Sequence, residues 1–280
     1  MLSLPVLLPP RHLPTFLALL ALATIPPGLG ATGSDPLDSY RAAVAMDFPR
    51  AAVAARQANR DRESPPEARF SLALVLLNEQ PQSAAKLDQA RQILTTLAGD
   101  ATLPAELRAA SLYYHGRLEQ SHARPAAAHT ATALYARILA EFPRTTYAER
   151  AFAMRAVIRQ YEPLPVAAKR ALLLELDAEA QARLHTPLAR RLYHLSAGLA
   201  WSRLLQDDDQ AYAHCLVVHE LKLENDYESS NLLVRLAELS RRRGDRVAAL
   251  KFFHEFVARF PADRRTSLAR EWIAALEGKP

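Results

Sequence analysis

The stretch LVRLAELSRRRGDRVAALKFFHEFVARFP, residues 233 to 261, decides how this chain is read. Leu233, Leu236-Ala237 and Ser240 recur at steps of three or four residues, the spacing of one face of an α-helix. Gly244-Asp245 breaks that run as a turn. Ala249 and Phe253 stand four apart on a second helical face, and Pro261 ends it. Proline lacks an N–H and disfavours α geometry in the residue before it, so a helix stops there. The unit is helix–turn–helix. Such a pair cannot bury its apolar face alone and has to stack on neighbours.

A second unit lies upstream. A helical run from Leu107 to Gln120 carries Leu112, Tyr113 and Gly116, and its partner runs from about Ala126 to Glu141 with Ala131, Tyr135 and Ile138 on one face. Pro143 closes it. Both units end in Phe-Pro, at Phe142-Pro143 and Phe260-Pro261. Each is followed by a polar turn and an Ala-rich helix. Weaker pairs read as Pro66 to Asn78 with Ala84 to Ala98, and Asp38 to Met46 with Pro49 to Asn59. Four further helices are expected at Tyr147 to Tyr161, Leu164 to Leu184, Pro187 to Leu205 and Asp208 to Leu223. In the third, Leu188, Leu192, Leu195 and Leu199 form an apolar stripe. Strand signals are nearly absent, and glycine is only 8 of 280 residues, which argues against Gly-rich catalytic loops.

The 233–261 segment resembles a tetratricopeptide repeat (TPR), whose pattern is W-x2-L-G-x2-Y, then A-x3-F, then P. Leu replaces the Trp, Ala the Gly and Ser the Tyr. The resemblance implies an all-α, TPR-like α-solenoid of stacked antiparallel helix pairs over residues 35–280, with the clearest repeats at about 104–146 and 230–263. Phe142-Pro143-Arg144-Thr145-Thr146-Tyr147-Ala148 is similar to the repeat endings of bacterial envelope TPR proteins. Examples are the β-barrel assembly lipoprotein and the Tol–Pal-associated protein.

The N-terminus fits that setting. Arg11 and His12 precede an apolar run from Leu13 to Ile25, and Gly28, Gly30 and Ala31 follow. Positive, apolar, small is the order of a secretory leader, so residues 1–31 are expected to be a signal peptide. The run is shorter than the about 20 apolar residues of a membrane span. Membrane contact is expected only if the leader is retained. No cysteine lies at the end of the run, so the lipoprotein route is not expected.

The formal charge is +5, with basic residues scattered among Asp and Glu rather than gathered into a nucleic-acid footprint. The densest basic cluster, Arg241-Arg242-Arg243 with Arg246, suits a helix end. Cys215 is the only cysteine and lies in an apolar helical stretch, the setting of a buried structural thiol.

A search for chemistry returns little. His115, His122 and His129 are seven apart, but Pro125 interrupts the segment and no third ligand is at hand, so no metal is expected. His194 reads as packing, and His214 and His219 point apart. Glu175, Asp177 and Glu179 read as surface ion pairing with neighbouring Lys and Arg, and Asp207-Asp208-Asp209 as a helix start. No nucleophile elbow, P-loop or dinucleotide fingerprint occurs. No catalytic residue and no cofactor are expected.

The functional surface is expected on the inner helix of each repeat. Candidates are Tyr113, Tyr114 and Arg117 in one unit and Asn231, Arg235 and Glu238 in the other, since tyrosine and arginine anchor interfaces. One of the two tyrosines is expected in the core. Val234 and Glu238 stand where a carboxylate-gripping TPR has basic or amide groups. The reading is a non-enzymatic exported scaffold with a protein or peptide partner in the cell envelope and no nucleic acid. The alternative is a helical accessory domain of a peptidoglycan-active system of the lytic transglycosylase kind. That chemistry needs a catalytic glutamate in a Gly-rich, Ser-containing context, which the sequence lacks.

Overall fold

A computed structural model describes residues 42–43, 47–58, 64–122, 127–222 and 226–278. Among these residues there are twelve α-helices of two turns or more and no strand. They are α1 (Phe48–Ala58), α2 (Pro66–Asn78), α3 (Ala84–Gly99), α4 (Ala105–Ser121), α5 (Ala128–Glu141), α6 (Thr146–Gln160), α7 (Val166–Arg183), α8 (Pro187–Leu204), α9 (Asp208–Glu220), α10 (Asp226–Arg242), α11 (Arg246–Arg259) and α12 (Thr266–Glu277). The expected leader lies outside the described residues, as does most of the expected helix from Asp38 to Met46. No described helix is long and apolar enough to cross a membrane.

The chain is an all-α solenoid, each helix packing against its neighbour in sequence. The even-numbered helices form a second level of order, because α2 also meets α4, α4 meets α6, and α6 meets α8. Successive odd-numbered helices make no comparable contact. From α2 to α8 this more closely packed layer is taken as the inner one. Burial follows the layers. Helix α6 buries residues around most of its circumference, from Tyr147 and Ala148 to Met154 and Gln160, whereas α5 buries only Ala131, Tyr135 and Ile138. Alanine makes the inner layer possible, since Ala109, Ala110, Ala151, Ala153, Ala189 and Ala197 are all buried and let three neighbours approach one helix. In α8 the deeply buried residues are Tyr193, Ala197, Ala200 and Trp201. Of the expected leucine stripe only Leu192 is fully buried, because α8 is enclosed on several sides and a single stripe does not define its core.

The turns are built as their residues dictate. Gly244 takes a φ of +77° between α10 and α11, and Asp245 caps α11 by accepting a hydrogen bond from the Ala248 N–H at 2.9 Å. At the two Phe-Pro endings, hydroxyls hold the turn. Thr145 Oγ1 donates to the Phe142 carbonyl and Thr266 Oγ1 to the Phe260 carbonyl, each at 2.8 Å.

A second device links units. Glu106, in the first turn of α4, accepts hydrogen bonds from the Thr146 N–H at 3.3 Å and from the Thr146 hydroxyl, at the start of α6. Glu149, in the first turn of α6, accepts from the His185 N–H at 3.0 Å and from the Thr186 N–H and hydroxyl at 2.8 Å each, at the start of α8. Each carboxylate therefore sits at two helix N-termini, where the free N–H groups favour negative charge. At the outer ends of the helices, Arg242 grips Asp208 with two bonds of 2.8 Å, and Arg243 bonds Asp209 at 2.6 Å. Both pairs span 34 residues.

Helix α7 departs from the pattern. Helix α6 packs more closely on α8 than on α7, which lies between them in sequence. What α7 lacks in packing it has in polar ties. Buried Lys169 donates from Nζ to the Gln160 carbonyl at 2.7 Å and to the Glu162 carbonyl, closing the C-terminus of α6. Glu175 meets Arg159 at 3.4 Å.

Candidate functional site

The six expected binding residues fall into two groups on two even-numbered helices, α4 and α10, with five helices between them in the chain. The structure does not bring the groups together. On α4, Tyr113 is only 8% exposed, so it is the one of the two tyrosines that belongs to the core and not a surface anchor. Its ring sits among Tyr114, Tyr135 and Tyr147 at centroid distances of 5.3, 5.9 and 5.5 Å, because its position on α4 faces the α5–α6 seam. Tyr114 is half-buried and packs edge-on against Phe70 at 5.6 Å. Arg117 is also half-buried, with Nη1 3.3 Å from Met154 Sδ on the next inner helix.

On α10, Asn231 is occupied. Its Oδ1 accepts a 2.7 Å hydrogen bond from Arg265, whose guanidinium also reaches Ser230 and Asp263. This clamp holds Asp263 down at about 2, chiefly through the Arg265 hydrogen bonds. Glu238 is exposed, within the electrostatic reach of Arg242 and Arg265. Arg235 is half-buried and turns toward Cys215 and Tyr161.

That last contact leads to a surface the sequence reading did not single out. Tyr161 follows α6 and is 39% exposed. Local crowding raises its hydroxyl pKa, and the charges of Arg203 and Arg235 oppose the rise. Leu164 in the following turn and Val166 at the start of α7 are exposed, as is Leu204 beside Arg203. Neither Arg203 nor Arg235 forms an ion pair among the described residues. Arg203 and Arg235, neither of them in an ion pair among the described residues, thus lie within electrostatic reach of Tyr161, and the exposed Leu164, Val166 and Leu204 stand close by in sequence at the ends of α6, α7 and α8. The apolar residues were legible as exposed only once the helices were placed, since each lies at a helix end where periodicity fails.

A buried polar network joins α7, α8 and α9. Asp177 on α7 accepts hydrogen bonds from the Tyr193 hydroxyl and from Trp201 Nε1 at 3.2 Å, both on α8. His214 Nε2 on α9 lies 3.3 Å from Asp177 Oδ1, and His214 Nδ1 lies 2.8 Å from His194 Nδ1 on α8. A carboxylate only accepts, so His214 Nε2 carries the proton facing Asp177, and one of the two Nδ1 atoms donates to the other. Burial raises the Asp177 carboxyl, but the bonds from His214, Tyr193 and Trp201 outweigh it and leave the pKa below the usual carboxylate value. Burial, aided by the charge of His214, pushes His194 down to about 4. Two expectations are corrected here. His194 is not simple packing, and Asp177 is not a surface ion pair, although Glu179 does meet Arg183 at 3.7 Å. The residues stand 17 and 20 apart on three helices, so no local spacing announces them. Tyr193, His194 and Trp201 lacked an apparent partner in sequence, which was the available signal.

Cys215 is 1% exposed, and burial pushes its thiol up to about 11, which makes it a poor nucleophile. His115 stands 3.4 Å from Glu119 on its own helix, and burial lowers its pKa. Among the described residues no three His, Cys, Asp or Glu side chains are grouped to hold a metal ion. Arg241 stacks over Trp272 at 4.1 Å and Arg243 over Tyr212 at 4.3 Å, so the arginine cluster is engaged with its neighbours. No protein-family model matches the chain, and no curated protein matches it.

Proposed function

We propose that this chain is a non-enzymatic scaffold of the TPR kind that binds a segment of a partner protein in the bacterial cell envelope. The binding face is the inner layer, and its centre is the end of α6 and α8. The observation that carries this is exposed Tyr161 within electrostatic reach of Arg203 and Arg235, with exposed Leu164, Val166 and Leu204 at the adjoining helix ends. Tyrosine and arginine are enriched at interface hot spots, and the apolar side chains beside them help to exclude water. Tyr114, Arg117, Asn231, Arg235 and Glu238 extend the same layer to either side, with Asn231 tied to Arg265. The envelope setting rests on the sequence of residues 1–31 and on the Phe-Pro endings.

The test is a capture experiment from envelope fractions with residues 35–280 as bait, read by mass spectrometry. Tyr161→Ala with Arg203→Ala is compared with wild type, and Val247→Ser, exposed on α11, serves as control. Proteins kept by wild type and the control and lost by the double variant support the reading. An identical set from all three baits, or none from a folded bait, sinks it. A clearing band on a peptidoglycan zymogram would replace the scaffold with an enzyme.

A further inference from the structure

The departure of α7 leaves a cavity of about 350 Å³ where the α5–α6 turn, the first turns of α6 and the α7–α8 turn meet. It lies away from the surface centred on Tyr161, which is at the other end of α6. Its volume falls at the lower end of the range of small-ligand sites, about 300–1,000 Å³.

The lining has two halves. Leu139, Ala148 and Phe152 make an apolar floor, with Ala148 and Phe152 belonging to the core of α6. Arg144, Arg183 and His185 stand at the edge, all three exposed. One carboxylate, Glu149, also lines the cavity, but its Oε2 takes three hydrogen bonds at the start of α8, where its charge is offset by the helix N-terminus. Arg183 has only Glu179 at 3.7 Å, and Arg144 has no ion-pair partner among the described residues. The floor favours an apolar body, and Arg144, unpaired among the described residues, beside Arg183, held only at 3.7 Å by Glu179, favours an anion, for which arginine offers a two-pronged donor.

We infer that this cavity is a binding site for a carboxylate carried on an aromatic or aliphatic body. A purely polar anion would leave the floor wet, and a neutral apolar ligand would leave Arg144 without an ionic partner. The site is independent of the inner-layer face.

Calorimetric titration of the full chain with three probes tests it. The probes are 4-phenylbutanoate, the matched alcohol 4-phenylbutanol, and the peptide Gly-Ser-Gly-Ser-Gly-Phe with a free carboxylate. The expected result is that at least one carboxylate probe binds roughly tenfold or more tightly than the alcohol, as a charge-assisted pair predicts. Arg144→Ala with Arg183→Ala removes that preference, and circular dichroism shows the fold kept because both side chains are exposed. Tyr161→Ala with Arg203→Ala leaves it unchanged. Tighter binding of the peptide assigns the carboxylate to a chain terminus, and tighter binding of the free acid to a small molecule. Either upholds the site. Equal binding of acid and alcohol, persistence of the preference in the arginine variant, or no binding of any probe overturns it.

Discussion

The ring of Tyr135 occupies the space in which any residue other than glycine at position 116 would place its side chain. A β-carbon on Gly116 would lie 2.6 Å from Tyr135 Cε1 and 2.9 Å from Cζ. Tyr135 is fully buried, and its hydroxyl donates to Gln120 Oε1 at 3.0 Å, so the ring has nowhere to retreat. Alanine at 116 gains about 1 kcal/mol in helix propensity. The clash costs about 1–3 kcal/mol or more in a packed core. Gly116→Ala is therefore expected to destabilise by up to roughly 2 kcal/mol net. Tyr135→Leu should partly relieve it, so urea denaturation of the double variant should show a clear departure from additivity. Additive losses would mean that the two helices part freely at this point.

Asp177 holds the loosely packed α7 to its neighbours. Asp177→Ala leaves the Tyr193 hydroxyl, Trp201 Nε1 and His214 Nε2 without their acceptor. Loss of such a shared acceptor costs about 2–4 kcal/mol. The expected readout is faster amide exchange along residues 166–183 with little change in α2 to α4, because a solenoid opens locally. Uniform acceleration over the whole chain would show that α7 is not a separate unit of opening.

The same network sets a direction for pH. His194 is protonated at about 4 in the folded chain against 6.5 for an ordinary histidine. Over that interval the unfolded chain binds the proton and the folded chain does not, so stability falls as pH is lowered from 6.5 to 4. The effect is on the order of 2 kcal/mol, reduced by partial solvent access. His115 and His122, also lowered by burial, act in the same sense. Below that range Asp177, whose pKa is depressed, adds a further loss as it is protonated. Trp201 fluorescence in a Trp272→Phe background is a local reporter. His194→Gln should flatten the dependence between pH 4 and 6.5, and an unchanged profile would move the effect elsewhere.

Cys215 offers a probe of opening at the α8–α9 contact. Its sulfur faces Gly198, where an added β-carbon would come within 3.3 Å of Sγ. With the thiol buried and raised to about 11, labelling by an aromatic disulfide should be slow in the native chain and should track unfolding in urea. Rapid labelling without denaturant would show that α9 lifts from α8 in the native state.

The helices were legible in the sequence because their signals are local. Pro66 starts α2, Gly244 and Asp245 separate α10 from α11, and Phe-Pro closes α5 and α11. The inner layer was less legible. A helix with three neighbours, like α8, hides its core from a one-stripe reading, and alanine marks a close approach without saying to what. Tyr113 and Tyr114 illustrate the limit, since adjacent residues on one helix diverge by about 100° and only packing decides which is enclosed. The site residues were the least legible. Asp177, His194 and His214 meet across three helices, and Tyr161 and Arg203 meet across two helix ends, where neither spacing nor periodicity carries information.

The carboxylates of Glu106 and Glu149 give the array a sense of travel. Each belongs to one unit and finishes the first turn of the next, from Glu106 to Thr146 and from Glu149 to Thr186. Shortening the chain from its downstream end removes recipients and leaves every remaining helix start furnished. Shortening it from the upstream end removes donors, so the first surviving inner helix begins bare. Between α4 and α8 the solenoid is thus a one-way street, on which one unit is completed by its predecessor.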